Sequence, residues 1–551
     1  MKKHPPTRMT GGSAIVQSLI ANGVDTIFGL PGVQLNHLFD ALYDNRNRIN
    51  VLNSRHEQGA AYMAFGYAIS SGKVGAFTVV PGPGILNATA ALSTAYACNQ
   101  PVLAITGQIQ SDQIDRGFGL LHEIPDQPGA LASVNKWVQR IDHPQHVPDV
   151  MQQAFHKLTA ERPRPVTIEM AMDMMGQESL VSPPVEAVTC NRPEIDLDQI
   201  TAAAKLLGNA QQPMIFVGSG AYHAAAEVQA LAAMLEAPVV SYQNGRGIVD
   251  ERHYLAQIHP AGAELWATCD VAIAIGCRLQ PERMYWGIDD ALKVIHIDID
   301  PTELTRVMAP TIGIVGDSAM ATQALLDAVP AHNRKRSSRK DELDRLKNKV
   351  HKTLLDGLGP QMAFLEAIRA ELPEDGFFVD EYTQIGYVAR VGFPVYRPRT
   401  MVTPGFQGTL GYGYATALGV AVANPGKKVV SVNGDGGFMY TMPELASAVH
   451  HKLDVVAIVF ADGHYGNVRR QQKVDHNGKE IASNFSNPDF VRLAESFGAL
   501  GLRAHSAAEL RSCLQQAFAQ TGPSLIEVPV GEFTEPWPFI RPPATRPLAR
   551  F

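Results

Sequence analysis

The chain has 551 residues, a formal net charge of -7, 45% hydrophobic residues and 18% charged residues. That length holds three domains of ordinary size, and the balance argues against extensive disorder and against the basic excess of a nucleic-acid binder. The five cysteines (Cys98, Cys190, Cys269, Cys277, Cys513) lack Cys-x-x-Cys spacing, the start Met1–Thr10 is polar, and no apolar run reaches membrane-spanning length; the expectation is a cytoplasmic protein without a disulfide framework, zinc site or membrane span.

In chain order, Asp25–Leu30 is a short β-type run closed by Pro31-Gly32, and helical spacing follows through Leu35, Leu38, Phe39 and Leu42. A short strand at Asn50–Leu52 precedes a helix that opens near Glu57. Strand Gly75–Val80, a Pro81-Gly82-Pro83-Gly84 turn, an alanine-rich helix over Ala88–Ala97 and strand Pro101–Thr106 repeat the pattern. Ser182–Arg192 reads as a linker. A second block has strands at Pro213–Val217, Val271–Ile275 and Val294–Ile299. The charged stretch Asn333–Lys349 reads as a solvated linker helix, with a polyanion contact as the alternative. The third block begins near Pro360, with strands predicted at Gly376–Val379, Val429–Val432 and Val455–Phe460 and a helix at Met442–His451.

Short β-rich runs feeding helices through glycine turns imply parallel sheets covered on both faces. The expected class is α/β, with three doubly wound parallel-sheet domains at 1–182, 193–332 and 351–551. The first and third blocks share a strand–glycine turn–helix grammar that points to a duplicated fold.

Lys428–Arg470 carries the strongest chemical signal. A strand ends in Asn433-Gly434-Asp435-Gly436-Gly437, and the next strand ends in Ala461-Asp462-Gly463-His464-Tyr465-Gly466. A right-handed β-α-β crossover makes the two strands parallel and brings both acidic turns to their carboxyl ends, where open α/β sheets bind ligands. Two carboxylates and a backbone carbonyl suit magnesium, and the Gly436 and Gly437 amides suit phosphate oxygens. The alternative is a plain β-turn with a solvated aspartate, but the second acidic turn shifts the balance to a site. Glu57, in Arg55-His56-Glu57-Gln58-Gly59-Ala60, stands at a buried helix start that suits a carboxylate raised by desolvation.

These motifs resemble the thiamine-diphosphate enzymes, and Arg55–Ala60 resembles the acetolactate synthase group residue for residue. Similarity extends through Phe28-Gly29-Leu30-Pro31-Gly32, Gly82-Pro83-Gly84-Ile85-Leu86-Asn87-Ala88, Gly107-Gln108, Arg162–Val166 and Gly408-Thr409-Leu410-Gly411. The resemblance implies a pyrimidine-binding first domain, a central domain and a diphosphate-binding third domain. It implies a thiamine-diphosphate-dependent carboligase or decarboxylase acting on pyruvate or a related 2-oxo acid or diketone, through a C2-carbanion/enamine intermediate. A flavin-containing oxidoreductase and a flavin-free lyase are the alternatives.

By the same resemblance Glu57 is the catalytic carboxylate at N1′ of the aminopyrimidine. Asp435, Asp462 and the His464 carbonyl are magnesium ligands, although the family usually has Asn-Asn where this chain has Ala461-Asp462. Gly408 accepts a bond from the 4′-amino group, and Leu410 wedges the cofactor. Pro31, Asn87, Thr383, Gln384, Gly434, Gly436, Gly437, Tyr465, Gly466 and Asn467 complete the expected cofactor contacts.

On the substrate side Val33-Gln34 replaces the group's glycine after Pro-Gly, and Leu121-His122-Glu123 replaces Phe-Gln-Glu. His122 is an acid/base candidate, with a structural histidine as the alternative. Val33, Lys136 and Arg469 are substrate-side candidates. Gly218-Ser219-Gly220 and Gly276-Cys277-Arg278-Leu279-Gln280 follow the flavin pattern only in part, so bound FAD is not expected. The family arrangement implies a homodimer or homotetramer, with Glu57 and Asp435 of one site supplied by different chains.

Overall fold

The computed structural model describes residues 5–185 and 192–548, so 186–191 of the expected linker, Cys190 among them, lie outside the described residues. Among these residues, three six-stranded parallel sheets carry interleaved helices, and Thr7–Thr10 pairs antiparallel with Glu178–Val181. The α/β class with three parallel-sheet layers is therefore the observed architecture.

The first sheet runs Asn50–Asn53, Thr26–Gly29, Gly75–Val79, Val102–Gln108, Val166–Ala171, Trp137–Ile141. The third runs Met401–Val402, Phe377–Val379, Val429–Gly434, Val455–Ala461, Ser524–Pro529, Leu500–Arg503. Written in chain order within each domain, the two strand orders are the same, as the shared grammar suggested. The central sheet runs Ala256–Gln257, Val239–Ser241, Pro213–Val217, Val271–Ile275, Lys293–Asp298, Ile312–Val315. That order reverses direction between Pro213–Val217 and Val271–Ile275, the switch point at which doubly wound sheets open a ligand crevice. Central strands such as Val271–Ile275 are buried along their whole length, because helices cover both faces of a parallel sheet.

Two elements depart from the reading of the sequence. The helix expected over Met442–His451 is found at Glu444–His450, and an unexpected helix, Asp435–Thr441, precedes it, the two divided at Met442-Pro443, where the proline lacks an amide to continue the ladder. The charged stretch leads into a long helix, Lys340–Glu371, bent at Leu358 just before Pro360. Its charges are matched locally, Arg339 with Glu342, Lys340 with Asp344 and Lys349 with Glu264, as a solvated helix requires.

The first and third domains are locked by two helices, Glu57–Ser71 and Gly413–Ala423, that are apolar around most of their circumference. A Cβ at Gly66 would lie 2.0 Å from the Thr416 carbonyl oxygen, and one at Gly419 would lie 1.9 Å from that of Met63. The two backbones therefore touch, and glycine is the only residue that permits it. Glu444, fully buried, accepts from the backbone amides of Arg55 (3.1 Å) and His56 (3.0 Å) and so pins the start of the first helix to the third domain. Gly419→Val should cost at least the about 1–3 kcal/mol typical of overpacking and lower the melting temperature; an unchanged melting temperature would show that the helices do not meet here.

Candidate active site

The strands Val429–Gly434 and Val455–Ala461 are adjacent and parallel, with Gly434 opposite Phe460. Asp435 and Asp462 leave them side by side. Gly-Asp-Gly-Gly is no β-turn: Asp435 is the first residue of a helix that begins as the strand ends. The Asp435 carboxylate accepts from the amides of Asp462 (2.9 Å) and Gly463 (2.7 Å) and from Asn487 Nδ2 (2.6 Å). Asp462 accepts from Gln384 Nε2 (2.7 Å) and from the His464 amide (2.9 Å). Burial, and then the charge of Asp435, raise the Asp462 pKa. Two carboxylates this close repel, and a divalent cation between them would relieve the repulsion. No trio of His, Cys, Asp or Glu side chains forms a metal cage among the described residues. A cation here would be held by two carboxylates, a backbone carbonyl and ligand oxygens, the mixture that a diphosphate-bound magnesium takes. The residues fit the group.

The rest of the predicted diphosphate set gathers around these turns. Thr383 is buried and lies against Gly434, Gln384 also accepts from the Phe533 amide (2.8 Å), and Gly436 packs on Tyr465. Gly466 adjoins Asp462, and Asn467 Oδ1 accepts from Arg470 and from the Trp537 indole (3.1 Å).

Glu381, which the reading of the sequence missed, is buried at the end of strand Phe377–Val379 and accepts from the Gly411 amide. A Cβ on Gly437 would lie 2.0 Å from its Oε1, and one on Gly413 would lie 3.0 Å from its Oε2. One carboxyl thus joins the Gly408–Gly411 segment to the Asp435 turn, and Gly437 is needed for that approach. Burial, and then the charge of Asp380, push Glu381 up to about 8. An acidic pair directly after a strand was the only signal, and it carried no motif.

Glu57 heads its helix and accepts from Asn87 Nδ2 (3.0 Å), while Gly84 packs on its side chain. The start is half-buried, not buried as expected, with Arg55 and His56 exposed just before it. Val33 (52% exposed), Leu86 (40%) and Leu121 (64%) stand exposed on the rim of the first domain, and Pro31 is exposed with them. His122 Nδ1 lies 3.1 Å from Gln34 Oε1. Gly408 has φ +63° and packs on Tyr382, and Leu410 is half-buried beside Gly411.

Two substrate-side candidates are committed elsewhere. Lys136 donates from Nζ to the carbonyls of Ala160 (2.6 Å) and Arg162 (3.1 Å), so it staples the end of the first domain. Arg469 pairs with Glu480 at 2.6 Å, which neutralises the charge expected for a substrate carboxylate.

The central sheet opens at its switch point into a cleft of about 1190 Å³, bordered by Gly218, Gly276, Asp298, Arg278 and Tyr222 of its own domain, with Arg162, Arg399 and Phe406 from its neighbours. A Cβ on Gly220 would lie 2.7 Å from the Gly276 Cα, so the two glycine turns stand back to back.

Three family models match the chain: thiamine pyrophosphate enzyme N-terminal TPP binding domain over residues 9–130, central domain over 200–325 and C-terminal TPP binding domain over 383–528. Full-length relatives include a probable 2-ketoarginine decarboxylase of Pseudomonas aeruginosa, 31% identical over 95% of this chain and 94% of that protein. A probable acetolactate synthase large subunit of Methanocaldococcus jannaschii is 33% identical over 94% and 92%, and an acetolactate synthase of Arthrospira platensis is 32% identical over 98% and 97%.

The Glu381 value implies a pH dependence. A carboxyl held above its unfolded value of 4.5 binds its proton more tightly in the folded chain, so its contribution to stability is complete below about pH 4.5 and is lost as pH rises through about 8. Glu381→Gln should flatten the fall in melting temperature across that interval; an equal fall in both proteins would contradict the raised value.

Proposed function

The chain belongs to the thiamine pyrophosphate enzyme family, and on that premise we propose that it makes or breaks the C–C bond beside the carbonyl of a 2-oxo acid, as a carboligase or decarboxylase. The observation that carries the reading is the Asp435 carboxylate gripping the amides of Asp462 and Gly463 within the matched C-terminal TPP binding domain. Thiamine diphosphate, when bound, supplies a nucleophilic C2 and a cationic ring that accepts the electron pair left by a departing carboxylate.

Glu57 is the group assigned to hold a proton at N1′ of the pyrimidine, oriented by Asn87. Asp435, Asp462 and the His464 carbonyl would hold magnesium, with Thr383, Gln384, Gly434, Gly436, Gly437, Tyr465, Gly466 and Asn467 about the diphosphate. Gly408 and Leu410 would seat the ring, while Val33 narrows the substrate side and His122 exchanges protons there. The relatives are named as acetolactate synthases and a 2-ketoarginine decarboxylase, so substrate class is proposed no more finely than a 2-oxo acid. Lys136 and Arg469 are not proposed as substrate ligands.

The exposed apolar rim at Val33, Leu86 and Leu121, and Met439 and Tyr440 beside the metal turn, support a second copy covering both faces. We take the protein as a cytoplasmic homodimer or homotetramer, its four described cysteines being unpaired. No described helix is long and apolar enough to cross a membrane. One observation favours a second reading, a flavin-containing oxidoreductase: the central cleft has the size and the paired glycine turns of a dinucleotide site.

Glu57→Gln should sharply reduce C2 proton exchange with cofactor binding retained, and Asp435→Ala should abolish magnesium-dependent cofactor binding by calorimetry; the opposite results remove these assignments. Mixing the two inactive chains should restore about a quarter of the wild-type sites if each site takes Glu57 and Asp435 from different chains, whereas no recovery would place both in one chain. Product analysis with pyruvate, longer and guanidino-bearing 2-oxo acids, diketones and aldehydes tests the reaction. Flavin absorbance in the purified protein decides the second reading, since a colourless, fully active enzyme excludes it.

A further inference from the structure

Gln34 lies in the short turn Val33–Leu35 that follows the first domain's strand Thr26–Gly29, and only 3% of it is exposed. Its amide meets the loop ending at His122 twice: Nε2 donates to the Leu121 carbonyl at 3.0 Å, and Oε1 stands 3.1 Å from His122 Nδ1. His122 has φ +70°, a left-handed backbone costly for a residue with a side chain, so the surrounding contacts hold it. Gly82 lies under its carbonyl, where a Cβ would come within 2.4 Å of the oxygen, and Glu123 ties the loop by accepting from the amides of Gly117 (3.1 Å) and Leu120 (2.8 Å).

The amide leaves no freedom in the imidazole. A carbonyl oxygen only accepts, so the Gln34 atom facing Leu121 must be the NH₂ group. The atom facing His122 is then the amide oxygen, which also only accepts, and Nδ1 must carry a hydrogen. The neutral ring is therefore the Nδ1–H tautomer, with its lone pair on Nε2, which bonds no other described residue.

We infer that Gln34 is the positioning residue for His122: it fixes the ring's orientation and tautomer so that Nε2 is the nitrogen that gives a proton to the substrate's carbonyl oxygen as charge develops there and takes it back when the carbonyl re-forms. This rests on the reading of His122 as the proton-exchanging group. Charged groups near the loop are engaged elsewhere: Glu123 as above, Arg116 with the Asp112 carbonyl (2.7 Å) and Asp126 as the cap of Gln127–Ala132; across Gly82–Gly84 stands Glu57.

The test compares kcat and kcat/KM against pH for wild type, Gln34→Glu, Gln34→Met, His122→Gln and the double variant Gln34→Glu/His122→Gln, each loaded with thiamine diphosphate and magnesium. A carboxylate against Nδ1–H stabilises the imidazolium, so Gln34→Glu should move the imidazole limb of the profile upward by about one unit or more, and the shift should vanish in the double variant. Gln34→Met, of similar volume without either hydrogen bond, should lose about tenfold or more in kcat, with KM and cofactor affinity little changed. In the cofactor-free wild-type chain, ¹⁵N-histidine spectra assigned with His122→Gln should show the Nδ1–H pattern. An unmoved limb in Gln34→Glu while His122→Gln is impaired, an Nε2–H pattern in the spectra, or full turnover by Gln34→Met overturns the positioning role. Wild-type turnover and profile in His122→Gln overturn the reading of His122 itself and the proposal with it.

Discussion

The carboxylate of Asp435 is the point on which the candidate site depends. One of its oxygens gathers the amides of Asp462 and Gly463 and the side chain of Asn487, so the first acidic turn dictates the path of the second. The arrangement needs two adjacent parallel strands of matched length, which a right-handed β-α-β crossover provides. Three N–H donors on one oxygen fix the orientation of that carboxylate. Burial, and then the charge of Asp435, raise the pKa of the neighbouring Asp462. The repulsion between the two adjacent carboxylates is what a bound cation would relieve.

Glycine at close contacts recurs as the second constraint. Gly66 and Gly419 let two helices touch backbone to backbone, and Gly437 admits the Glu381 carboxyl behind the Asp435 turn. These contacts, with Glu444 holding the amides of Arg55 and His56, fasten the Glu57 helix of the first domain to the third. In the proposed oligomer, the two ends of this connection serve different active sites. The same rigid core would then set the position of both.

Much of this was legible before any coordinates. Local spacing placed the strands at Pro213–Val217 and Val271–Ile275 at the observed boundaries, because a buried parallel strand is a short β-branched and apolar run bounded by turn residues. The Gly434–Gly437 and Ala461–Gly466 turns were recognisable because both partners lie within one supersecondary unit. Less accessible were contacts that join distant segments through single side chains. Glu381 to Gly411, Asn487 to Asp435 and Gln34 to His122 have no periodicity and no fixed spacing. The carbonyl partners of Lys136 and the glutamate partner of Arg469 were illegible for the same reason. A cation near a predicted site reads alike whether it faces a ligand or a nearby carbonyl or glutamate.

The amino-acid sequence by itself determined the α/β class, the order of elements and the membership that the Glu57 and Asp435 motifs express, since these follow from local propensity and from short, contiguous chemistry. Only the tertiary structure decided which charges are neutralised, which ring nitrogen of His122 is free, where the central sheet opens, and that Glu57 is half-buried in a single chain. Those properties depend on what a side chain meets across space. Chain spacing carries no record of that, because packing brings together residues whose separation along the chain is arbitrary.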